Sequence, residues 1–591
     1  MNAVSRFSIL SANSVSPRPA SQNSHTPVVD TSQLETDSIG NINKIEHVAQ
    51  QNSWLSWLNF LGPNPAEYEN DTENKHDLEA FREAKLAIET SKDACHYAIS
   101  KLHGSSSVSL AVHGTITEST PVNFNEKKQP IMPHQLLENA IPDPRPSKFS
   151  ETQSDQAKKS TLSLIPVSPD LDSNLRVITL STKIRLWGEA IIHKEIVPGT
   201  HIYKSTRPSV ERKRKKVVKR ALVISVHSFL PTKFVRSVIS QSTGSASIMA
   251  ENAVNAVHRW ANDDGEHELQ VQSIALDGIG TIGSRVDNSL HLLQNWADEV
   301  KNAEFIFMVS NSTASPVALQ ILQHMAKTSS FGLEHKKVGF LSMSGALQGR
   351  VSGLDMKVIR RAYTCYEYDI IMELFELQKS SSHLSRKLTE SMNDLCQYNV
   401  KLALIGSVDD KFIPIASSVS YQTSHPNIYK GLYIDEDVEV PEFLIRLMSM
   451  ILTMENVGYA DHYQLLKDLL ELSQGPLGVC ATHGEIFKCP GVYDVGVKFA
   501  LETTSLKLRK NAVFKQFKSY GANTERNLYH LPWNVRGLIN DLLKTKHIKS
   551  MKLLKELVSE YRKWDPSTRP WREIKQCFAA FEESNPEDLM M

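Results

Sequence analysis

Three residue types, met in order along the chain, could together carry nucleophilic acyl transfer: a serine at 312, a carboxylate at 409 or 410 and a histidine at 483. A serine hydroxyl is a poor nucleophile at its free pKa. A neighbouring imidazole must take its proton, and a carboxylate must hold that imidazole in the useful tautomer. Ser312 lies in the run Ser310-Asn311-Ser312-Thr313-Ala314, between a strand pattern ending at Val309 and a helical pattern from Pro316 to Met325. Strand, sharp turn and helix in that order make a nucleophile elbow, with the helix N-terminus beneath the reacting centre. Its flanking positions are usually glycine, and here they are Ser310 and Ala314. The developing oxyanion needs two backbone N–H groups, one after the nucleophile and one from the loop after an early strand. Thr313 is the first. Phe229 is the second, because 223–231 resembles a strand followed by an H-G-x segment, with Ser228 in place of its glycine.

These residues need a scaffold that ends several strands at one edge. From about residue 160 strands alternate with helices, which implies a mainly parallel sheet with helices on both faces. The expected strands are 221–226, 269–276, 304–310, 338–343, 400–406 and 431–434, and the expected helices 246–261, 284–301, 314–327, 386–398 and 440–456. The fold class is therefore α/β, with a disordered N-terminal region and a helical C-terminal extension. Residues 1–52 are Ser-, Asn- and Thr-rich and too polar to offset ordering entropy. Residues 53–159 hold a Trp-containing segment, a helix near 77–101, a strand near 108–112 and a polar linker. Residues 160–505 form the main domain and 506–591 the helical extension, which is expected to pack back on it.

The 66 basic and 66 acidic residues balance, so overall charge gives no case for nucleic acid. Six scattered cysteines without zinc-like spacing indicate neither a disulfide framework nor a metal site, and a reducing, cytoplasmic setting is expected. No apolar run approaches the ~18 residues of a membrane span. Trp54, Trp57, Leu58 and Leu61 share one helical face, which reads either as a peripheral membrane contact or as a segment docked on the protein itself. The glycines at 278, 280 and 283 match G-x-G-x-x-G. The acid expected at the end of the next strand is missing, since Glu304 begins that strand, so no cofactor site is assigned. Ser344 also follows a strand, but Gly345, Gly349 and Gly353 make its continuation a loop.

With these pieces in register, the chain resembles a poorly characterised family of fungal α/β-hydrolase-like proteins. The likeness is carried by 226–234, 242–246, 310–316, the Asp409/Asp410 loop and the His483 segment. Residues 402–414 resemble the G-x-x-D-x-x-V-P acid loop of hydrolases. Counting back from Pro414 favours Asp410, and counting forward from Gly406 leaves Asp409 as the alternative acid. The resemblance implies a serine hydrolase of ester, lipid-like bonds that needs no cofactor. It leaves open a catalytically inactive scaffold that binds a protein or membrane partner. Residues 345–385 are expected to cap the site.

Overall fold

The computed structural model describes residues 109–114, 123–125, 130–131, 167–169, 171, 218–229, 246–263, 269–334, 336–348, 365–408, 410, 412–435, 440–459, 465–466, 469, 485–503, 511–514, 531–544, 548–567, 569–579 and 582. The polar segment 1–52, the Trp54 and Trp57 helix, the helical pattern at 77–101, Asp409 and His483 lie outside the described residues.

The chain enters the described region through four short strands, β1 (Ser109–Gly114), β2 (Asn123–Asn125), β3 (Pro130–Ile131) and β4 (Val167–Ser168). The alternating part follows: β5 (Arg220–Val226), α1 (Ala246–Asp263), β6 (Gln270–Gly278), α2 (Ile282–Leu293), α3 (Ala297–Asn302), β7 (Phe305–Asn311), α4 (Ala314–Lys327) and β8 (Lys337–Met343). Two helices come next, α5 (Cys365–Gln378) and α6 (His383–Gln397), then β9 (Lys401–Ser407), α7 (Ile415–Ser418), β10 (Thr423–Ser424), β11 (Ile428–Tyr433) and α8 (Glu442–Asn456). Beyond these lie α9 (Pro490–Glu502), β12 (Val513–Phe514), α10 (Leu531–Lys544), α11 (Ile548–Lys563) and α12 (Arg569–Cys577).

Among the described residues the main sheet runs β3-β2-β1-β6-β5-β7-β8-β9-β11-β4. The pairs from β6 to β11 are parallel, whereas β1 pairs antiparallel with β6 and β4 with β11. The sheet thus draws β1 from the segment that the sequence reading placed before residue 160. From β5 the chain moves outward to β6, then crosses back so that β7 lies on the other side of β5. Such a reversal opens a crevice at the carboxyl ends of the strands, where sites of open α/β sheets form.

The strand residues explain the layering. Leu222, Ile224 and Val226 of β5 join Ile306 and Met308 of β7 in the core beneath α2, α4 and α6. Ala221, Val223, Phe305, Phe307 and Val309 face the opposite core, beneath α1 and α9. Alternation with both faces apolar is what a strand buried on both sides requires. A third core joins α8 to the C-terminal helices, with the Phe443 ring 5.2 Å from Tyr561 and 5.3 Å from Phe578. The helical extension therefore packs back as expected. No helix of the described residues is long and apolar enough to cross a membrane.

Two elements differ from expectation. The single helix expected over 284–301 is broken by a 3-10 turn at Gln294–Trp296, where Trp296 leaves helical geometry (φ −115°, ψ 28°). Its buried ring lies 5.5 Å from the His113 ring of β1. Strand β11 begins at Ile428 rather than 431 because it absorbs a lysine. Lys430 is buried and paired with Glu455 of α8 at 2.6 Å. The outer rim of β11 is closed at this point by a side chain: the Asn456 amide accepts from the Lys430 N–H at 2.9 Å and donates to the Lys430 carbonyl at 2.8 Å.

Candidate active site

All seven residues of β7 are buried, and the next residue, Ser312, has φ +52°. A left-handed conformation costs a non-glycine residue about 1 kcal/mol or more. It is held here by the surroundings. The Ser312 N–H donates to the Met343 carbonyl (3.0 Å), and the Ser312 carbonyl accepts from Ser315 (3.3 Å) and Ala346 (3.0 Å). Helix α4 starts two residues on, so Ser312 occupies the turn of a strand–turn–helix elbow, and it is fully buried.

The serines that replace glycine around the elbow are absorbed by a hydroxyl network. Ser315 Oγ lies 3.1 Å from Ser310 Oγ and accepts from Ser342 Oγ at 2.8 Å. The close approach lies in the turn after the next strand, where a Cβ on Gly345 would meet Ser342 Oγ at 2.1 Å and Ser315 Oγ at 2.7 Å. On the other flank the Thr313 hydroxyl donates to the Phe229 carbonyl at 2.8 Å and sits 3.1 Å from Ser228 Oγ. The serine in place of the oxyanion-loop glycine is thus tied to the elbow itself. Among the described residues no acceptor takes the N–H of Phe229 or of Thr313.

Asp410 follows β9, two strands beyond β7, at the same carboxyl edge of the sheet. It is buried, and its Oδ1 accepts the N–H groups of Phe412 and Ile413, each at 2.9 Å. The carboxylate is built into the turn that leads to Pro414. The structure thus ties Thr313, the neighbour of Ser312, to Phe229 and sets Asp410 on the same edge; His483 and the alternative acid Asp409 are outside the described residues.

A second polar group beside the oxyanion loop escaped the sequence reading. His227 Nδ1 lies 3.5 Å from Asp277 Oδ1, and the Arg285 guanidinium donates to the His227 carbonyl. Burial pushes the Asp277 carboxyl up, against the opposing pull of His227 and Arg285. The register of β5 on β6 was the missing signal: with Val226 opposite Leu276, the next residues are His227 and Asp277. Asp277 thus has a local partner, and Glu304 lies at the far end of β7, accepting the Lys219 N–H at 2.7 Å. The G-x-G-x-x-G segment is a capped helix start, with Thr281 Oγ1 accepting from Ser284 N–H.

Helix α5 of the expected cap reaches this group through Glu373, whose Oε2 accepts the Ile282 N–H at 2.7 Å. Burial, aided by Glu376 and Asp369, pushes the Glu373 carboxyl up to about 7, while the Ile282 hydrogen bond and Arg285 oppose it. The folded state then holds a proton that the unfolded chain releases above its ordinary value of 4.5. Stability tied to Glu373 therefore falls as pH rises from there through about 7. Glu373→Gln is expected to unfold like wild type at pH 4.5 and to be more stable at pH 8 by on the order of 1–2 kcal/mol, read by urea unfolding at both pH values. An equal difference at both pH values would contradict it.

A family model described as the YMC0/YMC35 alpha/beta hydrolase domain matches residues 169–542, more than half of the chain. The chain belongs to this family. The YMC0/YMC35 match spans the elbow, the oxyanion loop and the Asp410 turn, and it ends within α10. No curated protein matches the chain. Two solved structures resemble this YMC0/YMC35 member at low identity. One comes from work titled "LipS and LipT, two metagenome-derived lipolytic enzymes increase the diversity of known lipase and esterase families", at 12% identity over 37% of this chain and 85% of that one, with a TM-score of 0.22. The other is Est1E from Butyrivibrio proteoclasticus, at 13% identity over 41% of this chain and 88% of that one, with a TM-score of 0.23. At such distances neither bears on activity.

Proposed function

We propose that the chain is a serine hydrolase of ester, lipid-like bonds. Ser312 Oγ attacks the ester carbonyl, His483 takes the hydroxyl proton and passes it to the departing alkoxide, and Asp410 orients His483. The N–H groups of Phe229 and Thr313 receive the oxyanion, and water then releases the acyl group from Ser312 by the same route. The observation that carries this reading is the left-handed Ser312 at the end of β7, with the following residue tied to the Phe229 loop. Backbone strain at a buried serine is retained where the surroundings enforce it, and an elbow is such a place. Trp54 and Trp57 would bring the enzyme to a lipid surface.

Complete burial of Ser312 favours a second reading, a hydrolase-like scaffold without turnover. Labelling with a fluorophosphonate probe separates the two. The hydrolase reading expects covalent labelling of wild type that is lost in Ser312→Ala and in His483→Ala. A folded wild type that stays unlabelled establishes the scaffold.

A further inference from the structure

Ser344 stands beside Ser312 in a matching posture. Strands β7 and β8 pair in parallel with Asn311 opposite Met343, so the residues that follow, Ser312 and Ser344, leave the sheet side by side. Ser344 also carries a positive φ (+44°) and is fully buried. Its N–H donates to the Ile405 carbonyl at 2.8 Å, but among the described residues its hydroxyl has no hydrogen-bond partner. A buried hydroxyl is nearly always paired, and an unpaired one on a strained residue calls for a ligand that pairs it.

We propose that Ser344 is a substrate-contacting residue whose hydroxyl donates to the leaving-group oxygen of the ester held by Ser312. The assignment rests on the hydrolase reading above. An ester carbon carries two oxygens. The Phe229 loop, tied to Thr313, lies on the β5 flank of β7 and Ser344 on the opposite flank, after β8; a carbonyl oxygen received on the Phe229 side would leave the alkoxy oxygen to Ser344. Whatever admits substrate to Ser312 admits it to the position alongside.

The test compares wild type, Ser344→Ala and Ser344→Gly on a p-nitrophenyl ester and on a thioester of the same acyl chain, since sulfur is a weak acceptor. Both variants should melt at or above the wild-type temperature, because an unpaired buried hydroxyl is removed and glycine relieves the left-handed backbone. Ester kcat/KM should fall about tenfold or more, thioester kcat/KM by less than about threefold, and a fluorophosphonate adduct should still map to Ser312. Equal losses on both substrates, no loss on the ester, or an adduct on Ser344 in wild type would each overturn the assignment while leaving hydrolysis standing. Absence of any adduct on wild type would remove the hydrolase reading and this assignment with it.

Discussion

Asp410→Asn is expected to lower ester turnover roughly 10⁴-fold while changing stability by less than about 1 kcal/mol. The two effects separate because the carboxylate has two tasks. Its Oδ1 accepts two N–H groups of its own turn, and an asparagine oxygen can accept both. The charge that would hold His483 in the proton-accepting tautomer is lost, and the amide can instead favour the wrong one. Asp410→Ala loses the turn as well and should cost about 2 kcal/mol in urea unfolding, with the same loss of turnover. Steady-state hydrolysis of a p-nitrophenyl ester reads the first effect. Should Asp410→Asn keep its rate, the acid is the alternative Asp409, and Asp409→Asn should then show the 10⁴-fold loss.

Gly345→Ala should destabilise the protein by about 3 kcal/mol, although it adds a single methyl group. That methyl would sit 2.1 Å from Ser342 Oγ and 2.7 Å from Ser315 Oγ. Neither hydroxyl can swing away cheaply, since each belongs to the buried network that holds Ser310. Unpairing buried hydroxyls adds to the overlap. Relief of the closer contact by Ser342→Ala should recover part of the loss, so the double variant should unfold at a higher urea midpoint than Gly345→Ala alone. A glycine variant as stable as wild type would show that the elbow has more room than these distances allow.

Much of this site could be read along the chain because its signals are local. The apolar run of β7, the small turn residues and the helix α4 are contiguous, and observed bounds of Phe305–Asn311 and Ala314–Lys327 match the expected 304–310 and 314–327 closely. What stayed hidden depends on residues far apart in sequence. Nothing near Ser310 announces that Ser342 lies opposite it and that Ser315 links the two hydroxyls. Lys430 masked the start of β11, since a charge inside an apolar strand makes sense only with Glu455 beside it, 25 residues later. Strand β1 is legible as a strand near 108–112, but its place in the main sheet rests on antiparallel pairing with β6, far along the chain. The glycine pattern at 278–283, to which no cofactor is assigned from the sequence, leads into a helix start capped by Thr281.

The Asn456 amide against Lys430 also bears on how the molecule behaves in a crowd. An outer strand with open donors and acceptors is a template on which a foreign strand can grow. Here the amide reproduces both bonds that such an intruder would make, and β4 covers the next stretch at Leu432 and Tyr433. At this point the rim of β11 is closed by one buried planar side chain, and Asn456→Ala would leave the buried N–H and carbonyl of Lys430 unpaired, at a cost of about 1–3 kcal/mol each.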